Sequence, residues 1–305
     1  MTTLLQQEEK RPSLSDRLIH GREVWLNRLA GARPDLVLNP AGEKTLPPPA
    51  AGQAAEIKET LDRLKASAMD EGGARVDYAV LRASPAYAAY QEECLGKLHS
   101  FQPQLLPGET AQRAFWINLY NALVLDAVIA FDVQESVTEG WLGIFSFFRR
   151  AAYVVGGQRV SLEDMEHGIL RGNRGNPYVP GPHFAASDPR RAWSLPLDPR
   201  IHFALNCGGV SCPPIRSYAP QKLEVQLDLA ARNFVNATVE VFPAKNEVRL
   251  SQILNWYAKD FGSRGALVDF LIAHLPQDQR REYLAANRGA CDFVYTPYDW
   301  GLNNN

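Results

Sequence analysis

Residues 110–131, TAQRAFWINLYNALVLDAVIAF, contain the most apolar long segment of the chain. Their length and composition predict a helix over about 110–131. Asn118, Asn121 and Asp126 lie within it, and these polar groups would be costly to desolvate in lipid. The segment is therefore expected to be a buried core helix and not a membrane span.

Towards the N-terminus, helices are predicted over 54–69 and 85–98. Residues 40–52 are rich in proline, alanine and glycine, a composition typical of an extended linker. Before this linker, apolar residues recur at helical spacing and predict an amphipathic helix that ends near Gly31 and Pro34. These apolar residues are Leu14, Leu18, Trp25, Leu26 and Leu29. We therefore expect residues 1–52 to form an appendage and residues 53–305 to form a single main domain.

Towards the C-terminus, short strands and hairpins are expected between helices. Tyr153–Val155 and Gln158–Val160 flank Gly156 and Gly157, which predicts a hairpin, and Ser161 with Asp164 predicts a capped helix start. A strand is expected over 201–207 and a second hairpin over 238–250, with helices over 222–235, 252–259, 267–275 and 278–286. This order favours an α+β fold, a helix-rich domain around a small mixed or antiparallel sheet with two hairpins.

Charge and cysteine content limit the class of protein. The formal net charge is -2, which gives no overall attraction to nucleic acid or to an anionic membrane. The first residues lack a basic stretch followed by an apolar run, so we expect no secretory signal and a cytoplasmic protein. The four cysteines, Cys94, Cys207, Cys212 and Cys291, are then expected to be free thiols.

Six segments carry a resemblance to a known family. They are VDYAVL from Val76, AFWINLYNAL from Ala114, GGQRVSLEDMEHGILR from Gly156, DPRIHFALNCGGVSCPPIR from Asp198, LSQILNWYAKDFG from Leu250 and YDWGLN from Tyr298. In this order and spacing they resemble the domain of unknown function 547 family over about residues 76–303. The resemblance implies no established mechanism, so the chemistry has to be argued from the residues.

A thiol and an imidazole lie close in sequence between Asp198 and Arg216. On a strand over 201–207, His202 and Cys207 would face opposite sides, which favours a buried Cys207. Cys212 follows the Gly208–Gly209 turn, which allows its thiol to return towards His202. Cys212 is therefore the leading candidate nucleophile, with His202 as its base, and Cys207 is a weaker catalytic candidate.

Two further polar residues are candidates for supporting roles. Glu166 lies in an apolar helical stripe, where a buried carboxylate is either a general acid or base or the partner of an arginine such as Arg171 or Arg200. Asn118 either orients His202 or caps a neighbouring backbone segment. Candidate ligand contacts are the polar and glycine residues nearby: His167, Arg171, Asn121, Asn206, Gly208, Gly209, Ser211 and Arg216.

Two functions remain open from the sequence. The first is a cysteine-dependent hydrolase or acyl or amide transferase acting on a small acyl, amide or peptide-like substrate. The second is a non-catalytic module that binds a peptide or metabolite, with the N-terminal helix serving a protein partner. A zinc site built from His167, His202, Cys207 and Cys212 has poor spacing. We expect no metal, cofactor, nucleic acid or membrane partner.

Overall fold

A computed structural model describes residues 13–39, 50–140 and 142–305, and its main core surrounds helix α5 (Gly108–Ala130). Every residue from Arg113 to Ile129 is buried. This helix is long and apolar enough to cross a membrane, but 94% of its most apolar window is buried inside the protein. It therefore forms the centre of the core, as its buried amides and carboxylate indicate.

The N-terminal half supplies helices around α5. Helix α2 packs along α5, and a broken helical segment from Pro85 to Ser100 closes the same core. The α-helices of this half are α1 (Leu14–Leu29), α2 (Ala50–Ala68), α3 (Tyr78–Ala83), α4 (Pro85–Ala89) and α6 (Gly143–Arg150). A π-helix (Tyr90–Cys94) and two 3₁₀ helices (Leu95–Ser100 and Pro103–Leu105) complete it.

Two small sheets lie in the second half of the chain. Strands β1 (Ala152–Val155) and β2 (Gln158–Ser161) form an antiparallel hairpin. Strands β3 (Glu240–Phe242), β4 (Glu247–Ser251) and β5 (Asp292–Thr296) form a mixed sheet, in which β3 and β4 are antiparallel and β4 and β5 are parallel. The mixed sheet contributes to a second apolar cluster.

The remaining helices lie in the second half of the chain. A π-helix (Asp164–Leu170) follows β2 and packs against α5. The other α-helices are α7 (Leu223–Thr238), α8 (Gln252–Trp256), α9 (Arg264–His274) and α10 (Gln279–Ala286). Short 3₁₀ helices span Pro189–Trp193, Pro199–Phe203, Pro220–Lys222, Pro243–Lys245 and Ala258–Asp260.

The predicted fold class and both predicted hairpins are confirmed. Ser161 and Asp164 also form the expected capping arrangement, because each accepts a hydrogen bond from the other's backbone N–H. The parallel strand β5 was not predicted. The helix predicted over 85–98 is present, but it changes from α to π to 3₁₀ geometry along its length.

The strand predicted over 201–207 is wrong. Residues 199–203 form a 3₁₀ helix, in which Pro199 supplies the helical φ angle and the Asp198 side chain accepts a hydrogen bond from the Arg200 N–H. The alternation of side chains along a strand therefore does not apply to His202 and Cys207.

Helix α1 lies with its polar side against the protein. Asp16 is buried and accepts a 2.6 Å hydrogen bond from the N–H of Ala186. Glu23 and Asn27 both contact Arg149 of α6, at 2.8 and 2.9 Å. The predicted linker falls mainly on residues 40–49, outside the described residues, and α2 begins at Ala50. The boundary between an appendage and a main domain stays a prediction, although these contacts favour a helix that belongs to the domain.

The substitution Glu23→Gln tests how firmly α1 belongs to the domain. It leaves the buried Arg149 cation with one carboxylate partner fewer, so we expect the free energy of unfolding in urea to fall by roughly 1–3 kcal/mol. Asp35→Asn is the control, because its ion pair with Arg33 is exposed on both sides. Equal stability of the two variants would favour the appendage predicted from the sequence.

A buried carboxylate near the C-terminal end of α5 has hydrogen-bond donors but, among the described residues, no ion pair with a cation. Asp126 accepts hydrogen bonds from Tyr87 (2.7 Å), Tyr153 (2.6 Å) and Gln91. Burial raises the pKa of Asp126 to about 6, although these hydrogen bonds oppose the shift. The folded protein therefore binds this proton more tightly than the unfolded chain does.

Asp126 is expected to make stability fall as the pH rises. Because its pKa is raised on folding, its contribution is fully present below about pH 4 and is lost as the pH rises through about 6. A shift of about two pKa units corresponds to roughly 3 kcal/mol. In urea unfolding, Asp126→Asn should gain stability relative to the wild type across this range. A difference that does not change with pH would contradict the assignment.

Candidate functional site

A cavity of about 510 Å³ lies between the C-terminal half of the chain, α5, α6 and the π-helix Asp164–Leu170. Its walls are mainly aromatic: Tyr120, Phe145, Phe148, Tyr178, Trp256, Tyr257, Tyr298 and Trp300. Its polar lining residues are Glu163, Glu166, His167, Asn176 and His202, and Cys207 and Cys212 also line it. An apolar cavity with a few converging polar groups is the usual form of a small-molecule site.

His202 belongs to a buried chain of hydrogen-bonded ionisable groups. Its Nε2 lies 2.9 Å from the Oδ2 of Asp260. Arg171 donates two hydrogen bonds to the same carboxylate, at 2.6 and 3.0 Å. Burial opposes ionisation of Asp260, but the hydrogen bonds from His202 and Arg171 outweigh it and lower its pKa to about 2.

The ionised carboxylate determines the tautomer of His202. A carboxylate accepts hydrogen bonds, so Nε2 carries the proton and donates to Asp260, and Nδ1 of the neutral ring keeps its lone pair. Burial lowers the pKa of His202, which favours this neutral form. The ring also stacks on Tyr257 with 3.9 Å between ring centroids. Within the described residues Nδ1 has no hydrogen-bond partner, and it is the free basic atom of the pair.

Three short helical segments bring this chain together. His202 lies on the 3₁₀ helix Pro199–Phe203, Asp260 ends the 3₁₀ helix Ala258–Asp260, and Arg171 follows the π-helix. Sequence reasoning missed Asp260 and Tyr257. Both lie in the segment LSQILNWYAKDFG, which resembles the family and was the one available signal.

Glu166 is held by phenols and not by an arginine. It accepts hydrogen bonds from the hydroxyl groups of Tyr120, at 3.1 Å, and Tyr257. Burial, and then the charge of Glu166, raise the pKa of both phenols well above the usual value, so both remain protonated donors. The ion-pair alternative is therefore wrong: Arg171 pairs with Asp260, and Arg200 with Asp198 and Glu224.

Beside Glu166, His167 is fixed in its neutral form. Its Nδ1 accepts a 2.9 Å hydrogen bond from Arg171, so the proton lies on Nε2, 3.6 Å from Glu163. Burial, and then the charge of Arg171, hold the pKa of His167 well below its usual value. Glu163 is in turn paired with Arg149 at 3.0 Å. His167 is therefore a buried histidine held within this network, not an exposed one.

Cys207 and Cys212 are joined by a disulfide, with 6.0 Å between their Cα atoms. The prediction that these two cysteines are free thiols is therefore wrong, whereas Cys94 and Cys291 are free and buried. The intervening residues turn back on themselves, because the N–H of Cys212 donates to the carbonyl of Gly209. Without a thiolate in this state, Cys212 is no nucleophile, and the partner of His202 is Asp260.

The hydroxyl group of Tyr298 lies beside both sulfur atoms. Its oxygen is 3.2 Å from the Sγ of Cys207 and 3.0 Å from the Sγ of Cys212. The Tyr298 ring packs against Trp256 and Trp300, at 4.8 and 4.5 Å between centroids. Sequence reasoning also missed this aromatic group, which places the disulfide on the same wall as the large aromatic side chains.

Asn118 and Asn121 hold the backbone on either side of the disulfide loop. Asn118 exchanges two 2.8 Å hydrogen bonds with the backbone of Tyr218. Asn121 donates to the carbonyl of Ala204 and accepts from the N–H of Asn206. The backbone-capping alternative for Asn118 is the one that the structure shows, and no hydrogen bond connects Asn118 to His202.

The other predicted ligand contacts are also mostly structural. The Asn206 side chain donates to the carbonyl of Pro213 and accepts from the N–H of Gly208, so this N–H is not free to bind an anion. Gly208 has a φ of 84°, which a larger side chain would disfavour. Ser211 accepts a hydrogen bond from the N–H of Asp299.

Two of the predicted positions lie outside this network. Gly209 pairs with Leu302 in an isolated antiparallel bridge. Arg216 is exposed and lines a neighbouring cavity of about 380 Å³. Within the part of the chain that the structure describes, no group of three or more His, Cys, Asp or Glu side chains is arranged to hold a metal ion.

Comparison with known proteins identifies one family. Residues 104–235 match the family model described as "Protein of unknown function, DUF547". No curated protein and no solved structure matches the chain. The matched segment includes α5, Glu166, His202 and both disulfide cysteines, whereas Asp260 lies beyond it. The match to this family model therefore supports the resemblance seen in the sequence over residues 104–235, and the model itself carries no assigned function.

Proposed function

We propose that the cavity is the active site of a hydrolase or acyl or amide transferase, with His202 as general base. The observation that carries this proposal is the buried Asp260–His202 pair in an aromatic cavity. An imidazole with one nitrogen on a carboxylate and the other free is suited to proton transfer. Asp260 and Arg171 are the positioning residues.

The chemistry assigned to His202 is a reversible proton transfer. Its Nδ1 takes a proton from the attacking nucleophile as the nucleophile adds to the substrate carbonyl. The same proton passes to the leaving amine or alcohol when the carbonyl–heteroatom bond breaks. Asp260 stabilises the imidazolium between these two steps, as the carboxylate does in Ser-His-Asp sites.

The nucleophile depends on the redox state of the cysteines. In the disulfide form, water is the nucleophile for a hydrolase. After a dithiol reductant converts Cys207–Cys212 to two thiols, Cys212 becomes a second candidate, because it lines the same cavity as His202. The thiol-dependent enzyme inferred from the sequence is therefore a proposal about the reduced protein.

A non-catalytic ligand-binding module is the second candidate. Glu166 has no cationic partner within 4 Å among the described residues, and aromatic side chains surround it. A carboxylate beside aromatic rings favours an organic cation, such as the amino group of a peptide or metabolite. In this alternative Glu166 holds the ligand, and His202 is a structural histidine.

Substitution of His202 separates the two candidates. Purified protein is assayed with p-nitrophenyl esters and aminoacyl p-nitroanilides, with and without a phosphine reductant. If His202 is the base, His202→Ala lowers turnover roughly hundredfold or more, while the α1 variant His20→Ala does not. If Cys212→Ser turns over more slowly than the wild type only when both are reduced, the Cys212 thiol is the nucleophile. If the variant keeps its turnover under reduction, water is the nucleophile. Thermal stabilisation by cationic ligands without any turnover would contradict the enzyme and favour the binding module.

The role of Asp260 can be tested through the pH profile of kcat/KM. The Asp260 carboxylate raises the pKa of His202 against the effect of burial. Asp260→Asn removes that charge, so kcat/KM should fall roughly hundredfold and its acid limb should move to lower pH. Asp228→Asn is the matched control, because it alters a second His–Asp pair, with His274 at 3.3 Å, outside the cavity. If the acid limb of the kcat/KM profile does not shift in Asp260→Asn, Asp260 has only a structural role.

A further inference from the structure

The outward side of helix α1 carries an apolar stripe. Leu14, Leu18, Trp25 and Leu29 are 75%, 67%, 60% and 39% exposed, and they recur at spacings that bring them to one face. Val24, which is 52% exposed, widens the stripe. An amphipathic helix normally buries this face against the core, so α1 is inverted with respect to its own domain.

Polar contacts fix this inverted orientation. Arg22 donates to the carbonyl groups of Pro180 and Pro182, and Glu23 pairs with the buried Arg149. Asp16 caps the helix start together with Ser13 and also accepts a hydrogen bond from the N–H of Ala186. Rotating the stripe inward would break these contacts and expose the polar face, so the domain is built to present the apolar side.

The charged side chains exposed on α1 are all basic. Arg17 and Arg28 lie beside the stripe, and His20 is the other exposed titratable group. The two acidic residues of the helix, Asp16 and Glu23, point towards the protein and are engaged there. The overall net charge of -2 therefore does not describe this surface, which is locally apolar and cationic.

We propose that α1, contrary to the expectation from the overall net charge, docks this protein on an anionic lipid surface. A helix with leucine and tryptophan on one face and arginines beside them is suited to the interface of a membrane that contains acidic lipids. Tryptophan favours the headgroup level because its ring has apolar and polar parts. Symmetric pairing of two copies along the stripe would bring the arginines of both helices together, so charge favours the lipid surface over a second copy.

Docking through α1 would also bring the membrane close to the cavity walls. The Ser146 hydroxyl of α6 donates to the carbonyl of Ala30, immediately after α1. Ile144, Phe145 and Phe148 of the same helix line the cavity, as does Tyr178 of the loop that Arg22 holds. The helix that would lie on lipid is therefore built directly against the elements that form the cavity.

Vesicle flotation of the full chain tests this proposal. We expect the protein to float with vesicles of phosphatidylglycerol and phosphatidylcholine but much less with phosphatidylcholine alone. The variant Leu18→Ser/Trp25→Ser should lower the bound fraction roughly tenfold. Val225→Ser/Leu229→Ser on α7 is the matched control, because it removes two side chains that are 73% and 50% exposed elsewhere. It should float like the wild type.

A second variant measures the contribution of charge. Arg17→Gln/Arg28→Gln keeps the stripe and should weaken binding to anionic vesicles roughly fivefold for each charge removed. Circular dichroism of all variants should be unchanged, since the substituted side chains are exposed. Failure of the wild type to float with either vesicle, or equal flotation of the stripe and control variants, would overturn the proposal. So would a dimer in sedimentation velocity that the stripe variant abolishes, which would assign the stripe to a second copy.

Discussion

The ion pair between Arg171 and Asp260 connects the two halves of this molecule. Arg171 follows the π-helix that packs on α5, and Asp260 belongs to the region of the mixed sheet. Both side chains are 5% exposed or less, so each charge depends on the other for compensation. Removing one partner of such a pair typically costs several kcal/mol, because the remaining charge stays buried. His202 and His167 obtain their orientation from this pair.

Buried polar groups repeatedly find partners far away in the chain, and this organises the cavity. Asn118 and Asn121 of α5 bind backbone groups of the segment 204–218, which contains the disulfide loop. Glu166 accepts from Tyr120 and Tyr257, which places a phenol from each half of the chain on one carboxylate. The apolar helix α5 therefore positions the site through its few polar side chains.

The disulfide and the histidine share a cavity without sharing a hydrogen bond. Cys207 and Cys212 contact Tyr298, whereas His202 contacts Asp260. In the proposed function, acid–base chemistry and thiol chemistry would thus use separate groups of one pocket. Because the two groups have separate hydrogen-bond partners, the redox state of the cysteines and the His202 side chain can be varied independently.

The sequence alone determined the features that depend on near neighbours in the chain. The apolar run of α5, the Gly156–Gly157 hairpin, the Ser161–Asp164 cap and the family resemblance all rest on local patterns. Local patterns also singled out Glu166, His202, Cys207 and Cys212. In the structure all four line one cavity. Local reasoning failed at 201–207, where Asp198 and Pro199 start a 3₁₀ helix in an otherwise strand-like apolar run.

The tertiary structure alone decided which of these residues meet. Arg171 and Asp260 are 89 positions apart, His202 and Asp260 58, and Glu166 and Tyr257 91. No periodicity spans such separations, because these contacts form only when the two cores pack together. The orientation of α1 is of the same kind. Its amphipathic pattern predicts a helix with two faces, but the contacts with the buried Arg149 and with the N–H of Ala186 determine which face meets solvent.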